Sequence, residues 1–184
     1  MLGKLLVREL DGRRLVARIV EAEAYMGVVD RASHAFGGRR TPRVEVMYGE
    51  PGRAYIYLIY GMYNCLNAVT RECGNPQAVL IRAVEPLEGL EEMARNRFGK
   101  PLEQLTKAQR RALANGPGKL CRALALDRQL NGADLCGDEL WLAEGEHAEF
   151  DIVETTRVGI DYAEIARDYA WRFYIADSEF VSVR

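Results

Sequence analysis

The chain is poor in the residues that build metal centres, with four cysteines and two histidines in 184 residues. No two cysteines have the spacing of a zinc knuckle or a thiol oxidoreductase, and no aspartate-rich calcium loop occurs. A chain of this length can bury its own hydrophobic core without disulfides, so we expect reduced, mostly buried thiols. The sequence therefore predicts no metal and no cofactor.

Long apolar runs are also missing. Nowhere do about 18 apolar residues follow one another, which excludes a membrane-spanning helix of the usual length. Arg8 and Glu9 come too early for the apolar region of a signal peptide. We therefore expect a cytoplasmic, monomeric protein without membrane attachment, made of one domain over residues 1–184.

Lysine is scarce as well. Four of the 25 basic residues are lysines, the other 21 are arginines, and the net charge is −2. A negative net charge argues against a nucleic-acid binder, which usually presents a basic patch to the phosphates. Arginine nevertheless suits bidentate contacts with phosphate or carboxylate. The composition is compatible with a local basic face on an acidic protein.

The order of the predicted elements favours an α+β fold. Alternating and β-branched residues predict strands over 14–24, 54–59, 65–70, 78–84, 140–142, 152–158 and 173–175. Helical periodicity predicts one helix that begins at Leu87 and further helices over 102–114 and 119–126. Strands, then helices, then strands again are typical of an α+β domain rather than of alternating βαβ units.

Two carboxylates stand at the end of the first long predicted strand. Glu21 and Glu23 share one face, because strand side chains repeat every two residues. A carboxylate at the end of a buried strand, beside Tyr25 and a glycine-rich loop, is placed to activate water. The alternative is a solvated pair at the sheet edge, bound to arginines. A small-molecule hydrolase that uses both carboxylates is a further interpretation.

Tyrosines are concentrated between residues 48 and 63, at positions 48, 55, 57, 60 and 63. Tyr60 and Tyr63 flank Gly61 at the turn of the predicted hairpin, where they would expose large apolar groups that a monomer normally hides. The cluster is either a packed aromatic core or a platform that stacks on nucleobases. The second interpretation fits an enzyme and also a nucleobase-binding module without catalytic activity.

Polar residues interrupt two apolar runs. Asn67 and Arg82 each need partners if they are buried, so each is a satisfied core group or part of a polar site. His34 stands alone in a loop, which by itself favours a structural role. The Gly-Pro-Gly-Lys sequence at 116–119 lacks the spacing of a P-loop, so Lys119 marks a helix start or a single phosphate contact.

Seven sequence stretches follow one another along the chain. They are RIVEAEAY at 18–25, ASH at 32–34, GRRTPR at 38–43, YLIYGMY at 57–63, CLN at 65–67, LIRAVEPLEG at 80–89 and GPGKLC at 116–121. Further matches follow at 172–174 and 181–183. Together they resemble the alkyladenine (3-methyladenine, methylpurine) DNA glycosylase family. Any one stretch is a weak signal, and seven in order over nearly the whole chain are a specific one.

The resemblance implies a base pocket. Glu23 would match the carboxylate that activates the attacking water, and Arg82 the residue that helps to position it. The walls around the extruded base would come from Tyr25, His34 and Tyr57. Asn67 would stand at the floor, where it would collide with the 2-amino group of normal guanine.

The resemblance also implies contacts with DNA. Tyr60 would be the wedge that enters the duplex through the minor groove, in the space that the flipped base leaves. The other implied contacts are Met62, Tyr63, Arg39, Thr41, Arg43 and Lys119.

The implied partner is double-stranded DNA with a damaged purine, and the implied reaction is direct hydrolysis without strand cleavage. The implied substrates are 3-methyladenine, 7-methylguanine, hypoxanthine and ethenoadenine. The expected fold is a single α+β domain with a curved, mostly antiparallel, open-barrel-like sheet, surrounding helices and a protruding β-hairpin.

Overall fold

The structure is a computed structural model, and it describes residues 1–146 and 149–184. The strands among these residues are β1 (Leu5–Leu10), β2 (Arg13–Tyr25), β3 (Ala54–Ile59), β4 (Tyr63–Val69), β5 (Ala78–Glu88), β6 (Leu140–Ala143), β7 (Ile152–Thr155) and β8 (Arg172–Ile175). They form one antiparallel sheet in the order β3-β4-β5-β2-β1-β6, and β8 pairs with both β2 and β7. The predicted α+β fold with a curved antiparallel sheet is confirmed.

Strand β2 organises the sheet because it is 13 residues long. Its first half pairs with β1 and its last residues pair with β8, while β5 occupies its other edge. A central strand with neighbours on both edges has no free backbone groups, so its side chains are held firmly. Both predicted carboxylates lie on this strand.

The α-helices among the described residues are α1 (Leu90–Phe98), α2 (Lys107–Arg111) and α3 (Pro117–Ala123). The predicted helix start at Leu87 is wrong, because β5 continues to Glu88. Gly89 then turns the chain at φ +76°, and a Cβ there would lie 2.4 Å from Leu15 Cδ2. None of the described helices is long and apolar enough to cross a membrane.

The predicted helix over 102–114 is also wrong in its extent. The chain forms a 3-10 turn at Leu102–Gln104 and then the short helix α2. Thr106 caps α2, since its hydroxyl accepts a hydrogen bond from the Gln109 amide at 3.2 Å. The third helix begins earlier than predicted, at Pro117, because proline fits the first turn of a helix.

The main hydrophobic core lies on the face of the sheet that packs against α1 and α3. It includes Ile19, Leu66, Ile81, Met93 and Leu120, all nearly or fully buried. Strand side chains alternate, so the neighbours of these core residues point to the opposite face. That second face carries the polar and aromatic residues described below.

The cysteines differ from the sequence-based expectation. All four are free thiols, but Cys73 and Cys136 are exposed, so only Cys65 and Cys121 are buried. Cys73 lies in the loop between β4 and β5, and Cys136 lies just before β6.

Candidate active site

A cleft of about 390 Å³ opens on the face of the sheet opposite to the main core. Its lining includes Tyr25, His34, Tyr55, Tyr57, Tyr60, Asn67, Leu80, Arg82, Val158 and Tyr162. Tyr25 comes from β2, Arg82 from β5, and Val158 from the segment after β7. The structure therefore brings together residues that the sequence separates by more than 130 positions.

The register of the sheet explains why these residues meet. Tyr55, Asn67, Leu80, Glu23 and Arg172 are direct cross-strand neighbours in a row over β3, β4, β5, β2 and β8. Residues opposite one another in an antiparallel pair point to the same face with Cβ atoms about 5 Å apart. Three members of the row, Tyr55, Asn67 and Leu80, line the cleft, and Glu23 is the next residue along the row.

Glu23 is fully buried and does not itself line the cleft, but its hydrogen-bond partners do. Its Oε1 accepts a hydrogen bond from the Val158 amide at 2.8 Å and lies 3.3 Å from Arg82 Nη1. Its Oε2 accepts a hydrogen bond from the Tyr25 hydroxyl at 3.0 Å. All three donors belong to residues that line the cleft, so the carboxylate lies directly behind the cleft wall. The alternative of a solvated edge pair is wrong.

The Glu23 carboxyl has a pKa above its ordinary value of 4.5, because burial penalises the charged form most strongly. The Arg82 cation, the Val158 amide and the Tyr25 hydroxyl act in the opposite direction. A raised pKa makes the carboxylate a stronger base than an exposed glutamate, which suits a group that takes a proton from water.

Arg82 owes its position to an irregularity in the β2–β5 pairing. Glu21 pairs with Ala83 and Ala22 pairs with Ile81, so Arg82 is an extra residue on β5 with no partner on β2. A β-bulge of this kind redirects a side chain, and bulges often occur beside active sites. The guanidinium is thereby placed against both carboxylates of β2.

Glu21 is occupied by structural contacts. Its Oε1 accepts from Arg82 Nε at 3.0 Å, from Arg172 Nη1 at 2.8 Å and from the Ser182 hydroxyl at 2.9 Å. Its Oε2 accepts from the Ser182 amide at 2.7 Å. Glu21 thus fixes Arg82 and anchors the C-terminal segment. This geometry does not favour a hydrolase that uses Glu21 and Glu23 as a catalytic pair.

One wall of the cleft is aromatic. The His34 and Tyr57 rings are 4.5 Å apart between centroids, and the Tyr55 and Tyr57 rings are 5.3 Å apart. His34 Nδ1 lies 2.8 Å from the Tyr55 hydroxyl. Burial, together with the Arg43 and Arg39 cations, lowers the pKa of His34 to about 4, so its imidazole is neutral at pH 7.

Tyr25 forms another part of the cleft lining, with Ala32 and Ile160 packed beside it. Burial raises the pKa of its hydroxyl, which therefore stays protonated and can donate to Glu23. Asn67 lies at the base of the cleft and is almost fully buried. Its Nδ2 donates to the Tyr55 carbonyl at 3.1 Å, which fixes the amide.

The hairpin β3–β4 carries an exposed aromatic tip. Tyr60 has φ +53° and Gly61 has φ +71°, and the Met62 amide donates to the Ile59 carbonyl at 3.2 Å. Two consecutive positive φ angles are characteristic of a type I′ turn, in which tyrosine is an unfavourable first residue. Tyr60 is 81% exposed at this tip, and Met62 is 67% exposed beside it.

Tyr63, the first residue of β4, packs against Gly118 of α3, so this helix supports the hairpin. A Cβ on Gly118 would lie 2.9 Å from Tyr63 Cδ1, so only glycine permits this close packing. The predicted Gly-Pro-Gly-Lys sequence at 116–119 therefore both starts a helix and holds the base of the hairpin. The structure brings this segment to the rim of the cleft.

A second groove of about 470 Å³ continues from the cleft and shares Tyr60 and Arg82 with it. Arg97, Lys119 and Arg122 line this groove. Within residues 1–146 and 149–184, none of the three has a carboxylate within 4.0 Å. Of these three cations, only Lys119 was predicted from the sequence as a contact with DNA.

The loop before β3 carries the other predicted DNA contacts. Arg39 and Arg43 are exposed and close enough to His34 to lower its pKa, and Arg43 Cζ lies 5.2 Å from the Tyr57 ring centroid. They too lack a carboxylate partner in the described parts of the chain. Thr41 is exposed between them, outside the cleft lining. Glu50, an acidic neighbour of the hairpin, lies 3.6 Å from Arg53.

Sequence reasoning missed several residues of the site. The Val158 amide is a backbone group, for which no side-chain pattern exists. Arg157, Asp30 and Tyr162 stand in segments without a regular period, so nothing in their local sequence indicates the cleft. No group of three or more histidine, cysteine, aspartate or glutamate residues in the described parts of the chain could hold a metal ion.

Comparison with known proteins gives relatives over the full length of the chain. A protein of Desulfitobacterium hafniense (strain Y51) is 61% identical over 184 residues, which is all of this chain and 91% of that protein. A Clostridium acetobutylicum protein is 55% identical over 183 residues, and an Alkaliphilus oremlandii protein is 53% identical over 182 residues. The alignment with the Clostridium acetobutylicum protein covers 100% of this chain and 89% of that protein. The alignment with the Alkaliphilus oremlandii protein covers 99% of this chain and 90% of that protein. Each is named "Putative 3-methyladenine DNA glycosylase".

The family model described as methylpurine-DNA glycosylase (MPG) matches residues 1–179. This match and the relatives confirm the resemblance that the seven collinear stretches indicated. The chain belongs to the methylpurine-DNA glycosylase family.

Proposed function

We propose that this protein is a monofunctional DNA glycosylase that removes alkylated or deaminated purines from duplex DNA. The damaged nucleotide rotates out of the helix, its base enters the aromatic cleft, and a water molecule activated by Glu23 replaces the base at C1′. The product is an abasic site in an unbroken strand. Family membership supports the glycosylase class, and the cleft supports the finer assignment.

The observation that carries the proposal is a buried glutamate beneath a cleft lined by aromatic side chains. Glu23 has its two carboxylate oxygens tied to three donors that line the cleft. A base inside a duplex cannot reach such a carboxylate, so the nucleotide must leave the stack at a cost of a few kcal/mol. A cleft of about 390 Å³ is of the size of small-molecule pockets in proteins.

The walls of the cleft suit a purine. Stacking on aromatic side chains contributes about 1–3 kcal/mol per base. The neutral imidazole of His34 does not repel a cationic base, and the tyrosine faces attract it. An N-alkylated purine carries such a charge, and its glycosidic bond is already weakened. The cleft thus favours the bases that need the least further activation.

The chemistry proceeds in one displacement. The water oxygen bonds to C1′, the C1′–N bond breaks, and its electron pair leaves with the base. Glu23 takes the proton from the water. Arg82 holds Glu23 from one side and Glu21 from the other, so the carboxylate keeps its orientation during the reaction. General base catalysis of this kind contributes about 10²–10⁴-fold.

DNA binding is assigned to the rim of the cleft. Arg39 and Arg43 lie near His34, and Arg97, Lys119 and Arg122 line the second groove. None of the five has a carboxylate partner among the residues that the structure describes, so they offer contacts to phosphates despite the net charge of −2. Tyr60 projects from the hairpin tip, where its ring can fill the gap that the flipped base leaves. We expect modest, salt-sensitive affinity.

The test of the proposed function is base excision from duplexes that each contain one 3-methyladenine analogue, 7-methylguanine, hypoxanthine or ethenoadenine. We expect strand cleavage after hot alkali and intact strands before it. We also expect no covalent complex after borohydride treatment, since direct hydrolysis forms no imine. Binding of lesion duplex without any base release would support the nucleobase-binding module instead.

The acid limb of the pH–rate profile follows from the raised pKa of Glu23. The carboxylate is active when ionised, so the single-turnover rate should rise with pH through a midpoint above 4.5. Glu21, Tyr25 and Arg82 face Glu23, and the Arg82 cation limits the rise of its pKa. 7-Methylguanine is the substrate of choice because the methyl group on N7 keeps the base cationic at acidic pH. A midpoint at or below 4.5 would contradict the assignment of Glu23 as the base.

Removal of the Asn67 amide should weaken the discrimination against normal guanine. We expect Asn67→Ala to raise guanine release several-fold, because the amide at the base of the cleft no longer meets the 2-amino group. Leu80→Val is the matched control, since Leu80 is the cross-strand neighbour of Asn67 and its truncation enlarges the cleft without removing a polar group. Equal guanine release by Asn67→Ala and wild type would refute this role.

A further inference from the structure

Arg157 is a buried charged group beside the cleft that the mechanism above does not use. Its side chain and that of Asp30 are both 0% exposed. Nη1 donates to Asp30 Oδ2 at 2.6 Å and Nη2 donates to Asp30 Oδ1 at 2.8 Å. Two further hydrogen bonds reach the carbonyls of Ala24 and Ala166. This bidentate pair is a rigid connection between β2, the loop after β2 and the segment after β7.

The guanidinium contacts the faces of two aromatic rings. Its Cζ lies 4.8 Å from the Tyr25 ring centroid and 4.9 Å from the Trp171 ring centroid. Arg157 is fully buried and absent from the cleft lining, whereas Tyr25 lines the cleft. Arg157 therefore supports the Tyr25 ring from the side that a bound base would not touch.

Arg157 is also connected to the Glu23 carboxylate through the next residue of the chain. The residue that follows it, Val158, donates its amide to Glu23 Oε1 at 2.8 Å. Because peptide geometry links the two residues, a shift of Arg157 moves this donor. Arg157 thus contacts the Tyr25 ring and adjoins the residue that donates a hydrogen bond to Glu23.

Stability alone does not account for this arrangement. Arg157 Nε is buried without a hydrogen-bond partner in the described parts of the chain. A buried ion pair commonly gains little over well-packed apolar residues, and an unsatisfied buried donor adds a cost. A buried group that costs folding free energy beside a cleft is better explained by a need to hold the neighbouring cleft residues in position.

We propose that Arg157 is a positioning residue for base excision, which acts through the Tyr25 ring and the Val158 amide. The proposal rests on the proposed function, in which Tyr25 contacts the extruded base and Glu23 activates water. Arg157 itself touches neither. Lysine in its place keeps the charge near Asp30. It loses the planar group that contacts the Tyr25 ring and donates four hydrogen bonds.

The test compares single-turnover excision at saturating enzyme with the dissociation constant for the lesion duplex. We expect Arg157→Lys to lower the excision rate by about 10²-fold, the loss typical of misplaced reacting groups. The dissociation constant should change by no more than about threefold, since phosphate contacts dominate DNA affinity. A merely structural role would lower the amount of folded enzyme and leave the rate per folded molecule unchanged.

Arg8→Lys is the matched control. Arg8 is also a buried arginine with an unpartnered Nε, it pairs with Glu139, and it is absent from the cleft lining. Its replacement should lower the melting temperature without changing the excision rate of the folded protein. A similar rate loss in both variants would overturn the proposal.

Trp171→Leu keeps the proposal testable if Arg157→Lys does not fold. It leaves the ion pair with Asp30 but removes one of the two rings that hold the guanidinium, so excision should slow by several-fold at unchanged affinity. A wild-type rate in the folded variant would overturn the proposal. Failure of the proposed function gives a different result, because wild-type protein would then release no damaged base.

Discussion

Replacement of Glu23 by glutamine should lower base excision by at least about 10²-fold and leave lesion DNA bound, because the variant loses the proton acceptor. Glutamine has nearly the same size, so it can still accept from the Val158 amide. The substitution alters neither the hairpin tip nor the cations of the rim, which are the groups proposed to bind DNA. The measurement is the single-turnover rate on a 7-methylguanine duplex, with the dissociation constant measured in parallel.

Glu85→Gln provides the control for Glu23→Gln. Glu85 lies on β5 of the same sheet and pairs with Arg18, and it does not line the cleft. This variant should excise at the wild-type rate. Excision by Glu23→Gln at the wild-type rate would show that another group activates the water, and it would remove the basis of the proposed mechanism.

Replacement of Tyr60 by glycine should also lower excision strongly. Tyr60 adopts φ +53°, which costs a non-glycine residue about 1–2 kcal/mol, so the free protein should be as stable as wild type or slightly more stable. The ring that fills the gap in the duplex is lost. With stacking of about 1–3 kcal/mol per base, we expect excision at limiting enzyme to fall about 10- to 100-fold.

Tyr60→Phe separates the ring from the hydroxyl in this experiment. It keeps the aromatic face and should retain most of the activity, while thermal unfolding of Tyr60→Gly should show no loss of stability. An unchanged excision rate in Tyr60→Gly would mean that the tip does not enter the duplex. A large loss of stability would mean that Tyr60 serves the fold rather than DNA binding.

Local patterns predicted the strands well where one side of a strand faces the core. β2, β3 and β5 were located from alternating and β-branched residues. β1 was missed, although Asp11 and Gly12 follow it with φ +50° and +74°. This Asp-Gly pair is a strong hairpin signal when apolar strands flank it, so the sequence did contain the information.

Helix boundaries were less predictable because several residues fit two structures. Leu87 matches the helical period of α1, but it lies on β5 and is half exposed. The extension of β5 depends on pairing with β2, which is distant in sequence. Tertiary pairing of this kind overrides the local periodicity.

Several residues in and beside the cleft were predictable from the sequence, but the hydrogen bonds that connect them were not. Glu23, Tyr57 and Asn67 were identified from strand phase and from family resemblance. The different contacts of Glu21 and Glu23 follow from the bulge at Arg82 and from Ser182, and neither feature has a sequence signature. Long-range contacts of this kind appear only when the sheet is assembled.

The most direct test of the central claim is a crystal structure of Glu23→Gln bound to a duplex that contains one ethenoadenine. We expect the lesion base inside the cleft, against the rings of Tyr25 and Tyr57 and beside Asn67, with the Tyr60 ring inserted into the base stack. A lesion that stays stacked in the duplex, with the cleft empty and Tyr60 outside the helix, would contradict it.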